Sequence, residues 1–252
     1  LFGSYPFKIW NRVGLNFGVN KSQTSAINPA TEEYFQGVRT QQGDSFISGD
    51  SGSFSTFHAH SITPSFSFNR TNGSPISPTN GQSLSATFEY TGGVLGGTVN
   101  YYRPTFDYRY YLPMNRRRNT LAIRLLGSFV QGFRGTAVPF YQRFFMGGDF
   151  DIRGFNFRAV SPIAFVVRQI DSIDPETGNT VKRPFDDIVY VGGDTQGVLN
   201  VEYRIPIIGN IVTAAPFFDA GNAWVIGKDQ LGRQVLDNEG KLRTEAVKFL
   251  PG

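Results

Sequence analysis

The chain has 252 residues, of which 40% are hydrophobic and only 17% charged, with a formal net charge of +4. No apolar run approaches the roughly 18 residues a membrane helix needs, which excludes a helical membrane protein. The absence of cysteine removes disulfides, thiolate catalysis and zinc ribbons together, and a charge this small gives no electrostatic case for nucleic acid.

Aromatics and glycine set the texture. With 24 Phe, 11 Tyr and 29 Gly, the chain favours strands and tight turns over helices. Leu1 opens it without a Met or a signal segment, which reads as a processed chain or an excised piece. The first alternating stretch is Ile9–Asn20. In Ser61–Phe68, Ile62, Pro64, Phe66 and Phe68 point one way and Ser61, Thr63, Ser65 and Ser67 the other. In Ser83–Tyr90, Leu84, Ala86, Phe88 and Tyr90 oppose Ser83, Ser85, Thr87 and Glu89. In Tyr102–Tyr110, Tyr102, Pro104, Phe106, Tyr108 and Tyr110 oppose Arg103, Thr105, Asp107 and Arg109. Similar alternation covers Thr120–Phe129, Val198–Ile205 and Val212–Gly221, which makes seven strands.

Alternation alone fits two architectures. A soluble sandwich buries its apolar face in a core, and would bury Phe106, Tyr108 and Tyr110 there. A membrane barrel turns that face to lipid and its polar face to a wet lumen. Strands in soluble proteins average about 5–6 residues, whereas bilayer-crossing strands need about 9–11. Strand length, the aromatic excess and the charges on one face (Arg103, Asp107, Arg109, Arg124, Glu202 and Arg204) favour an all-β antiparallel transmembrane barrel.

The connections orient it. Thr71–Gly81, Pro113–Asn119 and Ile207–Asn210 are short and lie at one end. Lys21–Phe57, the tight Gly92–Gly97 hairpin and the very long Gln131–Asp194 lie at the other, which should face outward. Pro29–Val38 has room for a helical turn or two inside its loop. Bacterial barrels are even-numbered and begin at eight strands, so seven imply strands missing from at least one end. Beyond Val225 the sequence reads as a polar tail without another strand.

Several short patterns imitate chemistry. Gly49-Asp50-Ser51-Gly52 with His58 and His60 resembles the parts of a serine protease, but reads more simply as a flexible loop. His58 and His60 share a strand face but lack a third metal ligand nearby. Asp171, Asp174 and Glu176 lack calcium-loop spacing. Arg116-Arg117-Arg118 sits at a turn, where it meets solvent or lipid phosphate. No enzyme, metal or cofactor is expected.

The long loop holds Phe145-Met146-Gly147-Gly148-Asp149 and Ile152-Arg153-Gly154-Phe155. Gly192-Gly193-Asp194, Glu202-Tyr203-Arg204-Ile205-Pro206 and Phe217-Phe218-Asp219-Ala220-Gly221 follow, with Tyr111-Leu112-Pro113 upstream. As an ordered set these blocks resemble the carboxy-terminal half of BamA-type outer-membrane assembly barrels. The resemblance runs from roughly His58 to Trp224, and the superfamily also includes two-partner secretion transporters.

That resemblance implies a partial sixteen-stranded barrel, with these strands as its seventh to thirteenth, and one domain over 1–252. It implies that Gln131–Asp194 folds into the lumen with Ile152–Phe155 at its tip, and that Arg153 pairs with Asp219 and Glu202 on the inner wall. Strand parity points both carboxylates inward independently, while Glu202 also has Arg204 and Arg124 as candidate partners. Gly147, Gly148, Gly192 and Gly193 read as turn formers at the loop's bases. The implied place is the bacterial outer membrane. The implied partners are membrane lipid, unfolded barrel clients and accessory lipoproteins reached through periplasmic domains. A secretion transporter and a passive porin or receptor remain as alternatives.

Overall fold

The computed structural model describes residues 1–23, 56–74, 77–114, 119–134, 138–173, 180–190, 192–208, 212–226, 232–236 and 242–246. Fourteen strands lie among them. The first six are β1 (Phe2–Lys8), β2 (Asn11–Gln23), β3 (Thr56–Gly73), β4 (Pro78–Thr91), β5 (Tyr101–Met114) and β6 (Asn119–Phe129). Within the long loop lie β7 (Gln131–Gly132), β8 (Ile163–Ile173) and β9 (Thr180–Tyr190). After it come β10 (Thr195–Ile208), β11 (Val212–Ala214), β12 (Phe217–Trp224), β13 (Gly232–Leu236) and β14 (Leu242–Ala246). The only helical pieces among the described residues are two short 3-10 turns, Gly93–Leu95 and Phe140–Gln142.

Ten strands form one antiparallel sheet in which β1 through β6 pair in chain order and β10 follows β6 directly. Both β11 and β12 pair with β10, so the sheet is open, with β1 at one edge and β12 at the other. The wall strands β2 to β5 run 13, 18, 14 and 14 residues, long enough to cross a bilayer tilted.

Cross-strand pairing sorts side chains by face. Glu89 stands opposite Arg103, Ser85 opposite Asp107 and Ser83 opposite Arg109, all on the inner face. The outer face carries Phe17, Phe88, Phe106 and Leu125, each 44–46% exposed. Among the described residues no second sheet covers Phe106 or Tyr110, as a soluble sandwich would require; a wall of alternating polar and uncovered apolar faces is what a barrel presents to lumen and lipid.

The structure differs from the sequence reading in strand number. The segment Phe2–Lys8 pairs with β2. The long loop is not irregular throughout, because β8 and β9 form an eleven-pair hairpin inside it. The tail after Val225 also carries a hairpin, β13 with β14. Val212–Gly221 is interrupted at Ala215 and Pro216, where proline has no N–H to donate to the ladder. Pro29–Val38, Gly49–Gly52, Arg116–Arg118, Asp174 and Glu176 lie outside the described residues.

Buried apolar residues gather where the long loop meets the inner wall. One cluster joins Ala59, Val99, Tyr101 and Val130 to Val138 of the loop. The other joins Met146 and Ile152 of the loop to Val198 and Ala223 of the wall. The core of this chain is therefore an interface between its own loop and its own sheet.

Candidate functional site: the loop tip on the inner wall

Two bridges close the loop into a finger. Phe144 and Gly193 exchange backbone hydrogen bonds of 2.8 Å in both directions. Further in, Met146 and Val160 exchange bonds of 3.2 and 2.9 Å. Between Met146 and Val160 the chain must turn back sharply, and Gly147, Gly148 and Gly154 all adopt positive φ there. A Cβ at Gly147 would lie 2.5 Å from the Asn156 carbonyl oxygen, so glycine is required for space as well as for conformation.

Arg153 is the centre of the tip. Its Nε and Nη2 donate to the two oxygens of Asp219, each at 2.7 Å, in a forked pair. Its Nη1 donates to Glu202 Oε1 at 2.6 Å, and its backbone N–H to Asp219 Oδ2 at 3.1 Å. The guanidinium also lies over the Phe217 ring, 3.8 Å from its centre. Asn200 Nδ2 completes the Asp219 shell at 2.9 Å. Asp219 thus accepts four hydrogen bonds while its side chain is only 2% exposed. A carboxylate so buried persists only when paired and fully hydrogen-bonded, and this one is.

Glu202 has two partners rather than one: Arg153 on Oε1 and Arg204 Nε on Oε2 at 2.8 Å. Arg124 pairs with Asp107 instead. Ile152 is 3% exposed, packed with Met146, whereas Phe155 is 56% exposed. The motif's two apolar residues therefore differ: one anchors the tip and the other faces open space.

The paired glycines also divide. Gly192 adopts positive φ, as a turn former does, but Gly193 does not. A Cβ on Gly193 would sit 2.6 Å from the Trp224 carbonyl oxygen, so its smallness lets the loop's second base press against β12. Phe217 was missed by the sequence reading, although it shares the inward parity of Asp219. Gly221 was missed as well: Met146 packs onto it, and a Cβ there would meet the Met146 methyl at 3.2 Å. His60 Nδ1 lies 2.9 Å from the Leu95 carbonyl, and no cluster of three metal-ligating side chains occurs among the described residues.

Comparison with known proteins decides the family. The model of the Omp85 superfamily domain matches residues 4–244. The chain belongs to the Omp85 superfamily. A relative from Nitratidesulfovibrio vulgaris (strain Hildenborough), the outer membrane protein assembly factor BamA, is 29% identical over 147 residues. That match takes in 57% of this chain but 16% of the relative's length. The crystal structure of BamA from Haemophilus ducreyi lacking POTRA domains 1–3 superposes with a TM-score of 0.66 at 21% identity. It covers 89% of this chain and 41% of that one, and at this identity it speaks to the fold alone. This Omp85 chain has the fold of part of an outer-membrane β-barrel, and its place is the bacterial outer membrane.

Proposed function

We propose that this chain is part of the barrel domain of a factor that folds other β-barrel proteins and inserts them into the outer membrane. The observation that carries the reading is the loop docked on the inner wall by Arg153, Asp219 and Glu202, in an Omp85 chain similar to a protein named for that task. A loop held this way fills part of the lumen, which suits an assembly device better than an open channel for solutes.

Physically, the activity needs no nucleotide and no cofactor. A barrel can thin or disorder the lipid beside it, and an unpaired strand edge can template an incoming strand. In this reading 1–252 is one part of the barrel, and the sheet, open among the described residues, would close with further strands. Unfolded barrel proteins are the clients; accessory lipoproteins would bind through periplasmic domains of the parent. Arg153, Asp219 and Glu202 form a latch that keeps the lumen in one working shape, and a charged pair of this kind specifies arrangement more dependably than it adds stability.

The test uses the full-length parent in liposomes, with an unfolded client barrel and a small sugar supplied in separate assays. Faster client folding, lost in Arg153→Ala, is the expected result. Rapid sugar entry with no effect on client folding would overturn the reading and leave a channel.

A further inference from the structure

The ion pairs of Arg153 are not the whole grip on the loop. In the strand ladder Arg109 of β5 stands directly opposite Arg124 of β6, Arg124 opposite Asn200 of β10, and Asn200 opposite Asp219 of β12. Arg124, Asn200 and Asp219 each reach the loop, so this inward row crosses neighbouring strands at one height. The loop meets the row residue by residue. Arg124 Nη1 donates to the Phe150 carbonyl at 3.0 Å, and Asn200 Nδ2 to the Asp151 carbonyl at 2.8 Å. Asp219 accepts from the Arg153 N–H at 3.1 Å.

We propose that Arg124 and Asn200, with Asp107 behind Arg124, are positioning residues that dock the tip by binding its main chain. The proposal deepens the latch reading above and rests on it. Three adjacent strands span about 10 Å, which three residues of chain can cross. Loop residues 150–153 therefore match the spacing of the row. The contact at Phe150 is made by the carbonyl alone, since the residue is 91% exposed.

Arg124 is prepared for this by its fork. Its Nε and Nη2 donate to Asp107 Oδ2 at 3.1 and 3.0 Å, which leaves Nη1 turned toward the loop. Asp107 is in turn held by Arg109, whose Nε and Nη2 each donate at 3.0 Å. Arg153 alone would fasten the tip at a single residue, by its side chain and its own N–H, about which the flanking backbone could pivot. Contacts on two consecutive carbonyls remove that freedom. They also leave the exposed side chain of Phe150 unspecified, so the row would accept other residues at that loop position.

The test uses the full-length parent in bilayers, otherwise free of cysteine, with Ile152→Cys as reporter. Ile152 is buried against the wall, so a thiol there reacts with an impermeant maleimide only when the tip undocks. Arg124→Met should raise the labelling rate roughly tenfold, the ratio that loss of a charge-assisted hydrogen bond implies. Asp107→Asn should raise it less, because Arg124 keeps its charge but loses its orientation. Arg124→Lys should resemble Asp107→Asn, since an ammonium has no fork to span both partners; it carries the test alone if Arg124→Met fails to fold. A merely structural role on the wall would lower the temperature at which the folded barrel loses its compact gel mobility, with the labelling rate unchanged. That result would overturn the proposal. Labelling is done without client, so a failure of the assembly function leaves this outcome readable.

Discussion

The neck of the inward loop and its tip rest on the same wall but are held by different forces. At the neck, Val138 is 1% exposed against Val130 and Tyr101, each also 1% exposed, with polar ties that include Arg103 Nη1 to Gln142 Oε1 at 2.8 Å and the Tyr102 hydroxyl to Gln131 Oε1 at 2.9 Å. Burial of that kind is strong but non-directional. At the tip, Asp219, Glu202, Asn200 and Arg124 hold Arg153 and its neighbours by hydrogen bonds whose angles admit little freedom. The neck keeps the loop inside; the tip decides where inside. Selection on shape should therefore fall on the polar residues of the tip, and selection on volume on the apolar residues of the neck.

Substitutions can break or sharpen this contrast. The largest effect is expected for Arg153→Ala, which strands a buried carboxylate at Asp219. Loss of one partner of such a pair costs about 3–5 kcal/mol. Labelling of Ile152→Cys should rise steeply in that background, while a cysteine at Val138 stays protected because the neck does not depend on Arg153. Equal labelling at both positions would show that neck and tip release as one unit. Met146→Ala comes next, since Met146 is fully buried between the two regions; truncating such a side chain costs about 2–5 kcal/mol. It should loosen the tip by removing its apolar support, and the same labelling measures it. The smallest effect belongs to Phe155→Ala, within about 0.5 kcal/mol on docking, because an exposed side chain has little packing to lose. A large labelling change there would mean that Phe155 docks on something beyond the described residues.

Much of this architecture is legible in the sequence, and the gaps have physical causes. Period-2 alternation marks β2 to β6 and β10 because one face meets lipid and the other the lumen, so each strand carries its own signature. The β8–β9 hairpin lacks that signature: Val166 and Val167 are adjacent, and polar and apolar residues fall on both parities. Its ladder comes from two segments finding each other rather than from a sorted face. β13 and β14 are five residues each, too short for a period to show. For the site, the family resemblance picks out Arg153 and its pairing, strand parity independently turns Asp219 and Glu202 inward, and the structure brings these three together. Arg124 and Asn200 were not legible as a row with Asp219, because their alignment depends on the register between strands, which no single strand's pattern contains.

The central question for the working protein is whether the tip is fixed against the inner wall. Spin labels at Phe155, on the loop, and at Leu125, on the outward face of β6, report that geometry in the full-length parent in bilayers. Both side chains are exposed, at 56% and 45%, so labels there disturb little. A docked tip gives one narrow distance distribution that broadens in Arg153→Ala. A distribution already broad in the unsubstituted protein would contradict it.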